Sequence, residues 1–333
     1  MAENKAWTLA SYPTGWVTQD NFKLVSSPVP KPADGEVLVK NLWLSLDPYM
    51  RGRMSQQKSY AKGVEIGQVM EGETAGEVVE SRAPDFRPGD KVVARLGWQL
   101  YGCVKARGEI RKVDDRAAPL SYYLGILGMP GRTAYFGLKE IGQPKAGETL
   151  VVSAASGAVG SVVGQLAKLS GARVVGIAGG REKGDYVTRE LGFDACVDYK
   201  AGNLSRDLAQ ACPKGIDVYF ENVGGEMLDT LLAQMNTFSR IVVCGLISQY
   251  NVTQPYGLKN FRYVLTNRIK VQGMIVFDWF KRYGEAEKAL AEHLAAGKLK
   301  YRESVVQGLE NAPRGFIELL QGKNFGKQIV NLG

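Results

Sequence analysis

Thr149-Leu-Val-Val-Ser-Ala-Ala-Ser-Gly-Ala-Val-Gly160 is the stretch that decides the fold. Its first five residues form an apolar run typical of a buried strand, and the small residues after it predict a tight turn. A helix is predicted over Ala158–Leu169, because Ser170 and Gly171 then end the apolar pattern. The small residues at 155, 157 and 160 have the spacing of a GxGxxG motif with alanine at its first position.

A strand-turn-helix unit of this kind predicts a dinucleotide site. Gly157 lets the backbone approach a pyrophosphate closely, and Gly160 lets the helix pack tightly on the strand. The helix N-terminus offers free N–H groups and a partial positive charge to the phosphates. The alternative is a tight turn with a structural role alone. The strand before the turn, the helix after it and the βαβ units that follow favour the dinucleotide.

Beyond residue 145, predicted strands and helices alternate. The helix Glu182–Leu191 is followed by Gly192, and the remaining strands are apolar: Arg173–Ala178, Ala195–Tyr199, Ile216–Glu221, Arg240–Cys244 and Lys270–Ile275. Repeated βαβ units with apolar strands predict a parallel sheet that helices cover on both faces. This part of the chain is therefore expected to have the Rossmann doubly wound fold.

The chain before residue 123 has a different texture, in which short strands alternate with turns. Turn signals such as Pro32-Ala-Asp-Gly35 and Arg87-Pro-Gly-Asp90 separate strands at Glu36–Leu44, Gly76–Glu80 and Lys91–Ala94. The last stretch returns to this texture, with predicted elements at Ser304–Gly308, Ala312–Leu320 and Lys327–Asn331. We therefore predict an α/β protein with two domains, a β-barrel domain of residues 1–123 with 300–333 and a Rossmann domain of residues 124–299.

Composition excludes several classes of protein. The chain has 333 residues and a formal charge of +8, yet it contains no cluster of lysine and arginine and no basic tail, so we expect no nucleic-acid partner. No apolar run approaches the about 20 residues of a membrane helix. The N-terminus lacks the layout of a secretory signal, so we expect a soluble, cytoplasmic protein without a membrane partner. A basic cleft for an anionic cofactor would use part of the positive charge.

The residues that usually bind zinc are scarce. The single histidine is His293, and no CxxC pair occurs among the cysteines, which are Cys103, Cys196, Cys212 and Cys244. A multi-histidine metal site is therefore excluded, and a zinc cluster is a poor fit. We expect no metal cofactor.

The tip of the second predicted strand indicates NADP rather than NAD. An NAD site usually carries Asp or Glu there, about 20 residues after the phosphate turn, to bind the ribose 2′-hydroxyl. This chain has Gly179-Gly180-Arg181-Glu182-Lys183 instead. The glycines make room for a 2′-phosphate and the cations neutralise it, while Tyr199 at the next strand tip could cover the adenine side. The alternative is that Arg181 and Lys183 only solvate the first turn of a helix.

Without a metal, hydride transfer must be supported by a hydroxyl donor. Tyr49, in Asp47-Pro-Tyr-Met-Arg51, lies just beyond a predicted strand. Tyr250 lies just beyond Arg240–Cys244, at the end of a sheet where ligands bind in open α/β folds. Because the chain has 15 tyrosines, packing is the alternative role for each.

At these residues the chain resembles the medium-chain dehydrogenase/reductase superfamily. More closely, it resembles the zinc-free branch of prostaglandin reductases (leukotriene B4 12-hydroxydehydrogenases), plant alkenal double-bond reductases and bacterial curcumin reductase. The resemblance is collinear over essentially the whole chain and rests on Leu46-Asp-Pro-Tyr-Met-Arg51, Ala154-Ala-Ser-Gly-Ala-Val-Gly-Ser-Val-Val-Gly164, Val175-Gly-Ile-Ala-Gly179, Tyr219-Phe-Glu-Asn-Val-Gly-Gly225, Cys244-Gly-Leu-Ile-Ser-Gln-Tyr-Asn251 and Asn324-Phe-Gly-Lys-Gln-Ile-Val330.

The resemblance implies a GroES-like barrel domain, a Rossmann domain, a cleft between them and a homodimer. It implies a 2′-phosphate site at Lys183 and Tyr199, and it places Tyr49 and Tyr250 at the substrate. The pyrophosphate and the rest of the cofactor would be lined by Gly157, Ala158, Val159, Gly160, Asn222, Cys244, Gly245, Leu246, Ile247, Ser248, Met274, Ile275, Val276 and Asn324. The chain departs from the family at Gly180, where a hydroxyl contact to the phosphate is lost, and at Arg181, which adds a cation.

The activity that the resemblance implies is NADPH-dependent reduction of the carbon–carbon double bond of α,β-unsaturated ketones and aldehydes. Hydride would reach the β-carbon, and Tyr250 or Tyr49 would donate a hydrogen bond to the carbonyl oxygen as it gains charge. Tyrosine suits this role because its pKa of about 10 keeps it protonated at neutral pH. One alternative is a quinone reductase, since quinones are vinylogous enones. The other is a non-catalytic family member with a structural or nucleic-acid-binding role.

Overall fold

The computed structural model describes residues 3–108 and 110–333. The strands are β1 Glu3–Leu9, β2 Phe22–Pro28, β3 Glu36–Ser45, β4 Thr74–Ser81, β5 Lys91–Ala94, β6 Tyr101–Lys105, β7 Ile110–Lys112, β8 Thr149–Ser153, β9 Arg173–Ala178, β10 Ala195–Asp198, β11 Ile216–Glu221, β12 Met235–Val243, β13 Lys270–Gly273, β14 Glu303–Gln307 and β15 Lys327–Asn331. The α-helices are α1 Met50–Arg53, α2 Met129–Phe136, α3 Gly160–Leu169, α4 Arg181–Asp185, α5 Leu204–Ala211, α6 Gly225–Leu232, α7 Arg262–Thr266, α8 Tyr283–Ala295 and α9 Ala312–Leu320.

Residues 126–302 form one compact unit built on a parallel sheet. Among the described residues this sheet has six strands in the order β10-β9-β8-β11-β12-β13, and each neighbouring pair is parallel. In terms of chain order this is 3-2-1-4-5-6, the arrangement of a dinucleotide-binding Rossmann sheet, in which the order reverses beside the first strand. Every residue of β8 is buried, as expected for a central strand with both faces covered.

Several element ends differ from the sequence prediction. Cys244 lies just outside β12, because that strand ends at Val243, which is in register with Glu221 at the end of β11. The Cys244 N–H donates to the Glu221 carbonyl (2.9 Å). Met274 and Ile275 lie outside β13, because the partner strand already ends at Val243, which is in register with Gly273. The helix predicted from Ala158 begins at Gly160, and the helix predicted over 182–191 is α4 followed by a π-helical segment.

The described residues from 3 to 125, together with 303–333, form the second compact unit. Its larger sheet follows the order β14-β15-β3-β4-β5-β7, with β6 also paired to β3, and β1 and β2 form a separate antiparallel pair. One edge of β3 is shared, because β6 pairs with its first half and β15 with its second half. The strand-rich texture of the sequence is thus realised as a mainly antiparallel sheet domain that includes the end of the chain.

An aromatic cluster ties the C-terminal segment to this sheet domain. Trp98 is fully buried, stacks on Phe22 with 5.4 Å between ring centroids, and meets Phe316 edge-on at 5.6 Å. The Trp7 indole N–H donates to the Leu309 carbonyl at 2.8 Å, so its polar group is satisfied in the core. Strands β1 and β2 and helix α9 therefore share one core.

A buried ion pair fixes the segment that precedes α1. Lys327 is 1% exposed, and its Nζ donates to the Leu46 carbonyl (2.9 Å) and to Asp47 Oδ1 (2.6 Å). The other carboxylate oxygen of Asp47 accepts a hydrogen bond from the Ser45 hydroxyl. Buried charges require such partners, because an unpaired one is strongly destabilising. The pair thus joins β15 to the chain that leads into Tyr49.

We expect Lys327→Met to lower the free energy of unfolding by about 3–5 kcal/mol, because Asp47 would keep a buried charge without its cation. Urea unfolding followed by tryptophan fluorescence measures this, since Trp98 lies in the same unit. The control is Lys105→Met, the same change at an exposed position of β6, for which a change within about 0.5 kcal/mol is expected. Equal losses in the two variants would contradict the role of the ion pair.

Candidate active site

The turn after β8 has the geometry that a phosphate-binding turn needs. The Gly157 N–H donates to the Ala154 carbonyl (2.9 Å), which closes the turn, and Ala155 N–H donates to the Ile177 carbonyl of β9 (3.0 Å). A Cβ atom at Gly160 would lie 2.3 Å from the Ala154 oxygen, so only glycine fits at the start of α3. Ala158 and Val159 lie in the turn, directly before the first helical N–H groups.

The tip of β9 brings two lysines towards each other. Gly180 has φ +89° and donates its N–H to Asp198 Oδ1 (2.9 Å), which also accepts from Lys200 N (2.9 Å). Lys183 is partly buried, and burial lowers its pKa first, with the nearby charge of Lys200 lowering it further. Two positive charges that repel each other favour the binding of an anion between or beside them. These residues therefore fit a phosphate group.

The predicted neighbours of Lys183 differ in how they are placed. The Arg181 side chain is 90% exposed and pairs with Asp185 at 3.7 Å, so part of its charge is already balanced. Tyr199 is exposed and lies at the end of β10 rather than within it, in a 3₁₀ turn. Lys200 was missed by sequence reasoning, although it directly follows Tyr199. A Cβ at Gly179 would lie 2.8 Å from its Cε atom, which places the side chain over the β9 tip.

A buried polar network joins the ends of β8 and β11. Glu221 is 0% exposed, and its Oε1 accepts hydrogen bonds from Ser153 Oγ (3.0 Å) and Val223 N (2.5 Å). Asn222 donates its N–H to Ser153 Oγ (2.8 Å) and its Nδ2 to the Ser153 carbonyl (2.9 Å). Neither Glu221 nor Ser153 was singled out from the sequence. The available signal was a charged residue at the end of the apolar run Ile216–Phe220.

The loop after β12 is docked onto this network. Its backbone N–H groups at Ile247 and Ser248 donate to the carbonyls of Asn222 (3.2 Å) and Val223 (3.0 Å). Leu246 N donates to Tyr250 Oη at 3.2 Å, so the hydroxyl lies against the loop backbone. A phenolic hydroxyl can accept one hydrogen bond and donate another. The structure therefore brings Tyr250 together with Asn222 and the segment 244–248 at the carboxyl end of the sheet.

The remaining predicted cofactor residues lie in both units. Met274 and Val276 are buried just after β13, and Met274 N donates to the Val243 carbonyl (3.1 Å), while Ile275 is partly buried. Asn324 belongs to the sheet unit, where its Nδ2 donates to the Gly326 carbonyl (2.8 Å). There it borders a cavity of about 410 Å³ that is lined also by Ser304, Gln307, Asn311, Arg314, Lys323 and Gln328.

Tyr49 stands at the start of α1 in the sheet unit. Burial, followed by the charge of Asp47, raises the pKa of Tyr49 well above its ordinary value, so its hydroxyl stays protonated. The Arg53 guanidinium lies 5.3 Å from the Tyr49 ring centroid and forms an ion pair with Glu71 at 3.0 Å. Arg53 is another residue that sequence reasoning missed. It is 1% exposed and lies 4.6 Å from the ring of Tyr60 as well.

Within residues 3–108 and 110–333, no cluster of three or more His, Cys, Asp or Glu side chains is arranged to hold a metal ion. No helix there is long and apolar enough to cross a membrane. Burial raises the pKa of the Cys196 and Cys244 thiols to about 12, so both remain thiols at neutral pH.

Comparison with known proteins identifies the family. Residues 5–113 match the N-terminal domain of oxidoreductase, and residues 158–292 match a zinc-binding dehydrogenase domain. The NADPH-dependent curcumin reductase of Escherichia coli (strain K12) is 49% identical, over 99% of this chain and 97% of its own. The 2-alkenal reductase (NADP(+)-dependent) of Nicotiana tabacum is 44% identical, over 98% of this chain and 97% of its own.

A solved structure agrees with these relatives. The crystal structure of CurA in complex with NADPH from Vibrio vulnificus is 51% identical, covers 99% of each chain and gives a TM-score of 0.94. The chain is therefore an oxidoreductase of the medium-chain dehydrogenase/reductase superfamily. Within that superfamily, it belongs to the branch that contains the curcumin and alkenal reductases.

These matches decide part of the sequence prediction. The family, the Rossmann domain with a second sheet domain, and the type of enzyme, an NADPH-dependent oxidoreductase, are confirmed. The roles of the individual site residues and the homodimer stay predictions.

Proposed function

We propose that this protein uses NADPH to reduce the carbon–carbon double bond of α,β-unsaturated ketones and aldehydes. The observation that carries the proposal is the Tyr250 hydroxyl, held against Leu246 N at the carboxyl end of the parallel sheet. In open α/β sheets ligands bind at this end, beside the point where the strand order reverses. Similarity along nearly the whole chain to a curcumin reductase and a 2-alkenal reductase supports the same substrate class.

We assign the cofactor to the Rossmann unit. The backbone at Gly157, Ala158, Val159 and Gly160 would hold the pyrophosphate at the start of α3. Lys183, with Gly180, Arg181 and Tyr199 around it, would bind the 2′-phosphate. The repulsion between the positive charges of Lys183 and Lys200 supports an anion there. The rest of NADPH would contact Asn222, Cys244, Gly245, Leu246, Ile247, Ser248, Met274, Ile275, Val276 and, from the sheet unit, Asn324. We assign the second substrate-facing residue, Tyr49, to the sheet unit.

Bound NADPH supplies a hydride for the β-carbon of the enone. The task of the protein is then to stabilise the negative charge that develops on the carbonyl oxygen. Tyr250 would donate its O–H to that oxygen, and Tyr49 is the second candidate, because its raised pKa keeps its proton in place. A tyrosine or water would return a proton to the α-carbon. The same donors would serve a quinone, which is the alternative substrate class.

We also propose a homodimer through the edge of the Rossmann sheet. β13 is the last strand in the sheet order, and large apolar side chains around this edge are exposed: Phe238 (70%), Phe261 (60%), Leu265 (81%) and Val271 (44%). An open sheet edge with exposed apolar side chains is well suited to pair with a second copy. A two-fold axis would bury the same patch on both chains.

The activity is tested by following the loss of NADPH absorbance with a trans-2-alkenal. We expect turnover. We also expect at least one of the variants Tyr250→Phe and Tyr49→Phe to lower kcat/KM about 100-fold, because it removes the hydroxyl that donates to the carbonyl oxygen. Tyr123→Phe is the control, because its hydroxyl binds the Asp114 carbonyl (2.7 Å) at the surface. Turnover with 1,4-naphthoquinone and none with the alkenal would favour the quinone reductase. If both tyrosine variants kept the wild-type kcat/KM, the proposed donors would be wrong.

The coenzyme site is tested by Lys183→Ala. Loss of a charge-assisted contact to the 2′-phosphate should raise KM for NADPH by about 10- to 100-fold and leave KM for NADH unchanged, because NADH lacks that phosphate. Lys298→Ala, at an exposed position of the same unit, should change neither value. An equal rise in KM for both coenzymes would show that Lys183 does not bind the 2′-phosphate.

A further inference from the structure

A carboxyl group is buried at the end of β11, where the parallel sheet is otherwise apolar. Glu221 is 0% exposed, and so are the three residues before it in β11, which are Val218, Tyr219 and Phe220. Burial raises the pKa of Glu221, while the backbone N–H groups of Val223 and Gly224 counteract that rise. A buried carboxyl is costly unless its bonds are made, so its contacts indicate what it does.

The first set of contacts reaches the phosphate turn. Ser153 Oγ donates to Glu221 Oε1 (3.0 Å) and accepts from Asn222 N (2.8 Å). Ser153 is the last residue of β8, and the next residue, Ala154, takes a left-handed conformation with φ +50° and closes the turn on Gly157. The carboxyl therefore acts on the residue from which the turn departs.

The second set reaches the loop after β12. The Glu221 carbonyl accepts hydrogen bonds from Cys244 N (2.9 Å) and Gly245 N (3.1 Å). Its side chain holds Val223 N at 2.5 Å, and Val223 O in turn accepts from Ser248 Oγ at 2.7 Å. A shift of residues 221–223 would consequently move the whole segment 244–248. The Glu221 side chain thus contacts the end of β8 and the loop after β11, and the backbone of residues 221–223 holds the loop after β12.

The groups that face the carboxyl explain why it must be held so firmly. Tyr219, on the same strand, and Cys244, from the β12 loop, are both titratable, and burial raises the pKa of each, to about 12 for Cys244. The polar partners of the carboxyl are Ser153, from β8, and the N–H of Val223, from the loop after β11. These donors satisfy Oε1, whereas Oε2 is buried without a hydrogen-bond partner among the described residues, so the position of the carboxyl is set by the Oε1 contacts.

We propose that Glu221 is a positioning residue for the nicotinamide half of NADPH, acting through Ser153, Asn222 and the loop 244–248. A Rossmann sheet consists of two mononucleotide-binding halves. The half with β9 carries Lys183 and would bind the 2′-phosphate, so the loops after β11 and β12 face the other nucleotide. The proposal rests on the NADPH site described under the proposed function, and it predicts that Glu221 affects the two halves of the cofactor unequally.

The test compares two ligands in the full chain without turnover. Glu221→Met keeps the length of the side chain but removes Oε1, the oxygen to which Ser153 Oγ and Val223 N donate. We expect the Kd for NADPH to rise at least about 10-fold, while the Kd for 2′-AMP, which lacks both the pyrophosphate and the nicotinamide half, changes less than about twofold. Ser153→Ala should show the same pattern, and calorimetry measures both constants.

Glu303→Met is the matched control, because Glu303 is another carboxyl with a burial-raised pKa, bound to Ser121 in the sheet unit (2.9 Å). It should leave both Kd values unchanged. An unchanged NADPH Kd in Glu221→Met would overturn the proposal, and so would an equal weakening of both ligands, which indicates general structural damage. If Glu221→Met fails to fold, Ser153→Ala decides by the same criteria. Both Kd values are measured in the absence of an enal. They therefore test the role of Glu221 even if the protein fails to reduce enones.

Discussion

The strand order of the parallel sheet reverses beside β8, and the features of the candidate site within residues 126–302 follow from that constraint. Because all neighbours in the sheet are parallel, the carboxyl ends of β8, β9, β11 and β12 meet at one edge. The helices that follow β8 and β9 and the loops that follow β11 and β12 must therefore leave this edge on either side of the reversal. The phosphate turn, the β9 tip and the Tyr250 loop are brought together in this way, although they are up to 100 residues apart in sequence.

Hydrogen bonds then convert this meeting point into one fixed geometry. The turn after β8 passes so close to α3 that Gly160 cannot carry a side chain. The loop after β12 hangs on backbone carbonyls at residues 221–223, and the hydroxyl of Tyr250 is held by its own loop. The charged groups also have fixed places. Lysines lie at the β9 tip, where a phosphate would bind, and the carboxyl of Glu221 is buried beneath the loops. Preorganised donors of this kind are what an enolate-forming reaction requires.

Local patterns were sufficient for the framework of the fold but not for all of the site. The strand Thr149–Ser153 and its neighbour Arg173–Ala178 have the predicted bounds, because turn residues mark both ends of each apolar run in the sequence. Cys244 continues the apolar run of β12, yet that strand ends at Val243, because its partner β11 ends at Glu221 and is distant in sequence. Lys200 was missed for the same reason, since its position near Lys183 is a property of two adjacent strand tips. Composition and motif indicated the cofactor, whereas the network beneath it needed coordinates.

We propose that hydride reaches the β-carbon of a conjugated carbonyl compound. The most direct measurement supplies NADPH deuterated at the transferable position of its nicotinamide, together with an aliphatic enone, and locates the deuterium in the product by NMR. We expect a saturated ketone with deuterium on the former β-carbon. Deuterium on the carbonyl carbon of an allylic alcohol would contradict it.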